Sequence, residues 1–113
     1  MLGLSYQLWK FNDDGKLINK AVGSAWKNGD KKFVRENHYI TEEASWKVLD
    51  IKGGSNASGT AVILYTNYGT ANQKWYFKPE SKFFFIASQA HKGMVLDITA
   101  GKKGGELLAF TGR

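Results

Sequence analysis

The sequence predicts an all-β fold built from short strands. Glycine makes up 13 of the 113 residues and is spread along the chain, which disfavours long helical segments. Short apolar or alternating runs lie between clusters of Gly, Asn, Asp and Ser, at the spacing of about 8–12 residues that successive strands show. One tetrapeptide also occurs twice. Together these observations indicate a β-sandwich or a β-barrel.

Ten segments have the composition of strands, and tight turns separate several of them. Asp14-Gly15 and Asn28-Gly29 supply the positive-φ residues of hairpin turns, as do glycine pairs later in the chain. Segment 41–47 is the one candidate helix, and it is too short to form alone. The predicted strands are Tyr6–Phe11, Lys16–Asn19, Lys32–Arg35, His38–Thr41, Lys47–Ile51, Ala61–Thr66, Lys74–Phe77, Phe83–Ser88, Met94–Ile98 and Glu106–Phe110.

An internal repeat organises the chain. The sequence Val-Leu-Asp-Ile occurs around Asp50 and again around Asp97, 47 residues later. A glycine-rich turn follows each copy. An apolar strand that ends in an aromatic residue, Tyr65 or Phe110, follows each turn. The two copies therefore belong to two units of similar structure.

A second motif, Gln-x-Trp, begins at Gln7 and at Gln73. Gln73 lies 23 residues after Asp50. Only 16 residues follow Asp97 before the C-terminus. If the count continues at Met1, the 23rd residue is Gln7. The N-terminal segment thus completes the last unit, and we expect the two termini to be adjacent. Either the fold closes on itself, or identical units exchange these ends.

A third unit, less well preserved, lies between the first Gln-x-Trp and His38. Lys16–Asn19 corresponds to the apolar strand at Phe84–Ser88, and 25–30 stands where Val-Leu-Asp-Ile and its turn are expected. Lys32–Arg35 supplies the next strand, and no Gln-x-Trp follows it, so this unit is shorter. We expect a single domain over residues 1–113, with units at approximately 16–37, 38–83 and 84–113, the last completed by 1–15.

These motifs resemble those of the ricin-type (QxW) β-trefoil lectins, and the stretch 46–77 matches the family pattern from end to end. The resemblance implies a β-trefoil with three pseudo-repeats and a carbohydrate-binding module without enzymatic activity. This chain begins just before a Gln-x-Trp, as a permuted domain, a fragment or one unit of a tandem array would. In such a fold, Trp9 and Trp75 are expected to fill the core rather than to contact a ligand.

The middle unit holds residues for a galactose-type pocket, as the resemblance implies. Asp50 would accept hydrogen bonds from neighbouring hydroxyls, and Tyr65 would stack on the apolar face of the sugar ring. Asn72 and Gln73 would support them with amides, and Asn67, with its neighbour Tyr68, could add contacts. The alternatives are that Asp50 caps a turn and that Tyr65 is half-buried packing.

The last unit offers a second candidate pocket. It contains Asp97, Phe110 and Gln7, but Tyr6 stands where the middle unit has Asn72. The first unit has Trp26 without an amide partner, and we expect it to be a structural remnant.

Composition narrows the function further. The chain has no cysteine, which excludes disulfides and thiolate metal sites, and no apolar run long enough for a membrane helix. Its two histidines lack metal-ligand spacing, and we expect neither metal, cofactor nor catalysis. The net charge of +6 comes from scattered lysines, which favours a solvated surface over a nucleic-acid site.

We therefore expect a lectin module for galactose, GalNAc or related glycans, with shallow pockets formed by an aromatic residue and an aspartate. Its partners would be glycans or glycoconjugates, with homo-oligomers or tandem arrays as ways to raise avidity. The alternative is a β-trefoil that has lost sugar binding and serves as a protein-interaction or inhibitory module.

Overall fold

The computed structural model describes residues 3–99 and 102–111, and β-strands dominate these residues. One helical turn, α1, covers Gly3–Tyr6, and 3₁₀ turns cover Lys52–Gly54 and Ala71–Gln73. The strands are β1 Trp9–Phe11, β2 Leu17–Asn19, β3 Phe33–Glu36, β4 Tyr39–Glu42, β5 Val48–Ile51, β6 Thr60–Tyr65, β7 Trp75–Glu80, β8 Phe83–Ser88, β9 Met94–Ile98 and β10 Leu107–Thr111.

The all-β prediction is confirmed, with local differences. The first strand begins at Trp9 rather than Tyr6, because the residues before it form the helical turn α1. The candidate helix 41–47 is the end of β4 followed by a turn. Strand β7 continues to Glu80, three residues beyond its predicted end. None of the helices within residues 3–99 and 102–111 has the length and apolar content needed to cross a membrane.

Three antiparallel hairpins give the fold its pseudo-three-fold character. They are β1–β2, β3–β4 and β7–β8, and each pairs a large buried ring with a buried polar residue: Trp9 with Asn19, Phe33 with Glu42, and Trp75 with Ser88. One backbone hydrogen bond closes each hairpin in the same way. Lys20 N donates to Leu8 O in the first hairpin, Glu43 N donates to Lys32 O in the second, and Gln89 N donates to Lys74 O in the third. These distances are 2.8–3.0 Å.

This register shows which part the first unit lacks. Phe33 occupies the position that Trp9 and Trp75 hold in the other hairpins. The chain reaches Phe33 only seven residues after Trp26, so it has no counterpart of the apolar strands β6 and β10. The segment around Trp26 instead bonds directly to the last unit, with Lys27 N donating to Gly105 O at 2.9 Å. The first unit is therefore shortened by the strand that carries Tyr65 or Phe110 in the other two units.

The motif tryptophans pack in the core. The indole N–H of Trp75 donates to Leu49 O at 3.2 Å, and that of Trp9 donates to Leu96 O at 3.1 Å. Both rings are fully buried. Leu49 and Leu96 precede the two repeat aspartates, so each tryptophan fixes the strand that presents an aspartate.

The N-terminal segment closes the last unit within one chain. Trp9 pairs with Phe84 across β1 and β8, and its indole reaches β9 at Leu96. Gln7 donates to Asp97 at 3.0 Å. The expected contact between the two ends of the chain is thus present in the described residues, although residues 1–2 and 112–113 lie outside them.

Candidate functional site

A cleft of about 490 Å³ lies at the β5–β6 hairpin of the middle unit. The register pairs Asp50 with Ile63 and Val48 with Tyr65. Because side chains alternate along a strand, Asp50, Ile63 and Tyr65 share one face of this hairpin. All three line the cleft, together with Lys52, Gly53, Gly54, Tyr68, Thr70, Asn72 and Gln73.

The carboxylate of Asp50 is held by two side-chain amides. Asn72 Nδ2 donates to Oδ1 at 3.2 Å, and Gln73 Nε2 donates to Oδ2 at 2.8 Å. Asp50 is only 5% exposed, and it has no cationic partner within 4 Å in the described part of the chain. A carboxylate can accept about four hydrogen bonds, so each oxygen retains room for about one more.

Gln73 is a positioning residue rather than a ligand-facing one. It is 1% exposed, and its amide group already makes four hydrogen bonds. Nε2 donates to Asp50 and to Thr66 O, and Oε1 accepts from the backbone N–H groups of Tyr68 and Gly69. This exhausts the capacity of a primary amide. Gln73 therefore fixes both the carboxylate and the loop 66–69 that follows β6.

Asn72 has a similar but less buried position. Its Nδ2 also donates to Ile51 O at 3.1 Å, and its Oδ1 accepts from the Thr70 hydroxyl at 2.6 Å. Oδ1 can accept one further hydrogen bond. Asn72 thus both orients Asp50 and offers an acceptor beside it.

Two tyrosines form the aromatic side of the cleft. Tyr65 is 49% exposed and Tyr68 is 67% exposed, and their ring centroids are 5.9 Å apart. Tyr65 is therefore not packed away in the core. Asn67, predicted as a contact, does not line the cleft. Its Oδ1 accepts from Gly69 N at 2.8 Å, within the loop that carries Tyr68.

The opposite side of the cleft is a turn that depends on glycine. Gly53 and Gly54 both have φ of 65°, in the left-handed region that glycine tolerates best. His91, from the loop between β8 and β9, lies with Nε2 2.8 Å from Gly54 O. Since a carbonyl oxygen only accepts, Nε2 carries the proton. No motif in the sequence connects His91 with Gly54, 37 positions earlier.

The second predicted site has the same strand register but a different polar environment. Asp97 pairs with Leu108, and Val95 pairs with Phe110, which places Phe110 where the middle unit has Tyr65. Gln7 Nε2 and the Ile98 amide both donate to the Asp97 carboxylate. Burial raises the pKa of Asp97 above its ordinary value of 3.8, and these two hydrogen bonds oppose the shift.

The second site therefore lacks the second side-chain amide that supports the aspartate of the first. Tyr6 occupies the place of Asn72, and it contributes only a backbone carbonyl, which accepts from Asn19 Nδ2 at 2.9 Å. Asp97 accepts one side-chain amide where Asp50 accepts two.

The first unit has no comparable site. Trp26 is buried, and its indole donates to Leu17 O at 3.0 Å. A cleft of about 220 Å³ lies against it, where the missing strand would run, and the carboxylate there, Glu106, pairs with Lys27 at 3.4 Å. Within residues 3–99 and 102–111, no three His, Asp or Glu side chains form a group that could hold a metal ion.

Comparisons with known proteins agree with this architecture. A search of the curated proteins found no match. A designed three-fold symmetric protein, ThreeFoil, is similar at 22% identity and a TM-score of 0.62, over 90% of this chain and 76% of that chain. The exo-β-1,3-galactanase 1,3Gal43A from Clostridium thermocellum is similar at 19% identity and a TM-score of 0.64, over 93% of this chain but 27% of that one.

These structural likenesses show the fold, a β-trefoil. The family model for the ricin-type β-trefoil lectin domain-like proteins matches residues 5–109, which is nearly the whole chain. The protein, with its three hairpins and two aspartate-centred units, therefore belongs to the ricin-type β-trefoil lectin domain-like family.

Proposed function

We propose that this protein is a non-enzymatic lectin module that binds galactose- or GalNAc-type glycans in the Asp50 cleft. The observation that carries the proposal is the hydrogen bonding of the Asp50 carboxylate. Two amides hold it in place, yet each oxygen keeps the capacity for one further hydrogen bond in a cleft with an exposed tyrosine.

This arrangement suits the two faces of a pyranose ring. Two neighbouring hydroxyls would donate to the two oxygens of Asp50, and hydrogen bonds to a charged group are worth about 1.5–3 kcal/mol. The apolar C–H face would stack on Tyr65, which is half exposed. Asn72 Oδ1 would accept from a third polar group of the sugar.

Two observations direct the choice of sugar. The family pattern that the middle unit matches is associated with galactose-type pockets, and one similar structure is an exo-β-1,3-galactanase. Galactose and GalNAc are therefore the first ligands to test. The Asp97 position is proposed as a weaker second site, since it has one supporting side-chain amide rather than two.

A glycan array followed by calorimetry tests the proposal. Asp50→Ala should lower affinity at least tenfold, because about 1.4 kcal/mol corresponds to a factor of ten and a charged acceptor is worth more. Tyr65→Ala should also weaken binding, whereas Tyr65→Phe should retain most of it. Tyr76→Ala is the matched control, because Tyr76 is a similarly exposed tyrosine on β7 that does not line the cleft.

The results separate the two sites and the alternative function. If binding persists in Asp50→Ala and disappears on addition of Asp97→Ala, the second site carries it and the proposal for the middle unit is wrong. Absence of binding to galactose-, GalNAc- and mannose-type ligands in the unmutated protein would contradict the lectin proposal altogether. The protein-interaction module would then be the better hypothesis.

A further inference from the structure

Trp46 has an unusual backbone conformation and an unusual exposure. Its φ is 60°, in the left-handed region, and its side chain is 69% exposed. The other non-glycine residues of the described chain with positive φ are Asn37 and Ser81, which are small polar residues at hairpin turns. A bulky side chain in this region is a genuine outlier.

The three-fold arrangement shows that Trp46 replaces a glycine. Strand β2 ends at the polar residue Asn19, and Gly23 lies four residues after it. Gly23 has φ of 64°, and its N–H donates to Asn19 O at 2.7 Å. Trp46 lies four residues after Glu42, and its N–H donates to Glu42 O at 2.8 Å. In the last unit the corresponding residue is Gly93, 47 residues after Trp46, with φ of 89°.

Packing does not offset the strain at Trp46. The left-handed conformation is costly for an L-residue with a Cβ and nearly free for glycine. A buried ring could compensate through the apolar surface that it removes from water, but most of this ring faces solvent. Strained residues of this kind cluster at ligand-binding positions.

The position of Trp46 connects it to the cleft. The last paired rung of the β5–β6 hairpin joins Val48 to Tyr65, and Trp46 lies two residues before Val48. Two peptide units span at most about 7.6 Å, so Trp46 lies just beyond the end of the hairpin that carries Tyr65. Trp46, Tyr65 and Tyr68 are three of the most exposed large apolar side chains in the described residues.

We propose that Trp46 is a second stacking platform, which binds the next sugar of an oligosaccharide whose terminal residue occupies the Asp50 cleft. The inference rests on the lectin function proposed above and goes beyond it. It assigns the ligand to a chain of at least two sugars rather than to a single terminal residue. The indole would contact an apolar sugar face, and Asp50 would fix the terminal residue.

Affinity measurements with short and long ligands test this directly. The probes are galactose and β-1,3-galactotriose, titrated by calorimetry into the unmutated protein and its variants. Trp46→Gly should lower affinity for the trisaccharide roughly three- to tenfold, the range of one aromatic contact, and leave affinity for galactose unchanged. Trp46→Asn should do the same, because asparagine tolerates the left-handed region, and Trp46→Tyr should retain most binding.

Two further measurements exclude a structural explanation. Trp46→Gly places the residue of the sister units at a strained position, so its thermal unfolding midpoint should not fall. Tyr76→Asn removes an exposed aromatic residue away from the cleft and should leave both affinities unchanged. Because the other three tryptophans are buried, acrylamide quenching of the exposed fluorescence reports on Trp46, and the trisaccharide, but not galactose, should reduce it.

The outcomes distinguish this inference from the proposed function. If both probes bind and Trp46→Gly changes neither affinity, the second platform is refuted while the lectin function stands. Equal loss of affinity for galactose and the trisaccharide would place Trp46 in the first sugar position and would also overturn the inference. Failure of the unmutated protein to bind either probe refutes the second platform, whereas the lectin function is refuted only if GalNAc- and mannose-type ligands also fail to bind.

Discussion

Replacing Trp75 tests whether the Gln-x-Trp motif serves the core rather than the ligand. The ring is fully buried, and its N–H donates to Leu49 O in the strand that carries Asp50. Trp75→Ala would remove the whole ring and leave a cavity. Trp75→Phe would keep most of the apolar volume and remove the N–H donor. Phe33, at the equivalent position of another hairpin, shows that the fold accepts phenylalanine there.

The two variants should differ in magnitude. Truncation of a buried tryptophan to alanine costs about 3–5 kcal/mol of unfolding free energy. Loss of the donor alone leaves a buried carbonyl with one partner fewer, a cost of about 1–3 kcal/mol. Since small domains are stable by about 5–15 kcal/mol, Trp75→Ala should remove a large part of the total and Trp75→Phe a smaller part.

Urea unfolding followed by far-UV circular dichroism measures both changes without relying on tryptophan fluorescence. Galactose titration of Trp75→Phe should show near-native affinity, because the ring does not line the cleft. A loss of less than about 1 kcal/mol in Trp75→Ala, against the 3–5 expected, would refute the core assignment. So would an equal loss of stability in the two variants.

Three further predictions concern other parts of the molecule. Gln73→Leu should leave the chain folded but lower galactose affinity at least tenfold, since Asp50 loses a charge-assisted hydrogen bond and the loop 66–69 loses its anchor; unchanged affinity in calorimetry would contradict its positioning role. Because burial raises the pKa of Asp97 in the folded state, ionisation of this carboxyl removes stability as pH rises from about 3.8 through the folded pKa. Asp97→Asn should therefore gain stability relative to the unmutated protein between pH 3 and pH 7 in urea unfolding, and a constant difference would argue against this. Gly29→Ala should destabilise by at least about 1–3 kcal/mol, because its Cβ would lie 1.9 Å from Ser24 O, whereas Gly59→Ala, with nothing within 4 Å, should show only its conformational cost of about 1–2 kcal/mol.

Much of the fold follows from spacing in the sequence. Strands and turns are visible because alternating apolar runs and glycine turns are local signals. The match of the two 23-residue intervals predicted that Gln7 meets Asp97, and the hydrogen bond between them confirms the contact. The helical turn at Gly3–Tyr6 was not predicted, because four residues carry too little periodicity to distinguish a turn of helix from a strand.

The site was only partly predictable, because residue type does not determine which hydrogen bonds a side chain makes. Gln73 was expected to support the pocket. That all its hydrogen-bonding capacity is taken by Asp50 and the backbone depends on the fold of the loop, which the sequence does not show. The support of Gly54 by His91 joins segments with no shared motif. Phe33 occupies a position that is tryptophan in the other two hairpins, but no glutamine precedes it in a Gln-x-Trp pattern. Only its pairing with Glu42 therefore shows that it is the equivalent residue.

The closure of the last unit by the N-terminal segment has a consequence for the order of folding. The contacts of Gln7 with Asp97 and of Trp9 with Leu96 join residues 90 and 87 positions apart. During synthesis, β1 can pair with β2 at once, but its contacts with β8 and β9 must wait for almost the entire chain. Strands β4–β8, in contrast, associate through contacts of short sequence separation. Because distant contacts are entropically expensive before others form, the middle unit should provide the folding nucleus. Substitutions there should slow refolding, and substitutions at Trp9 should mainly accelerate unfolding.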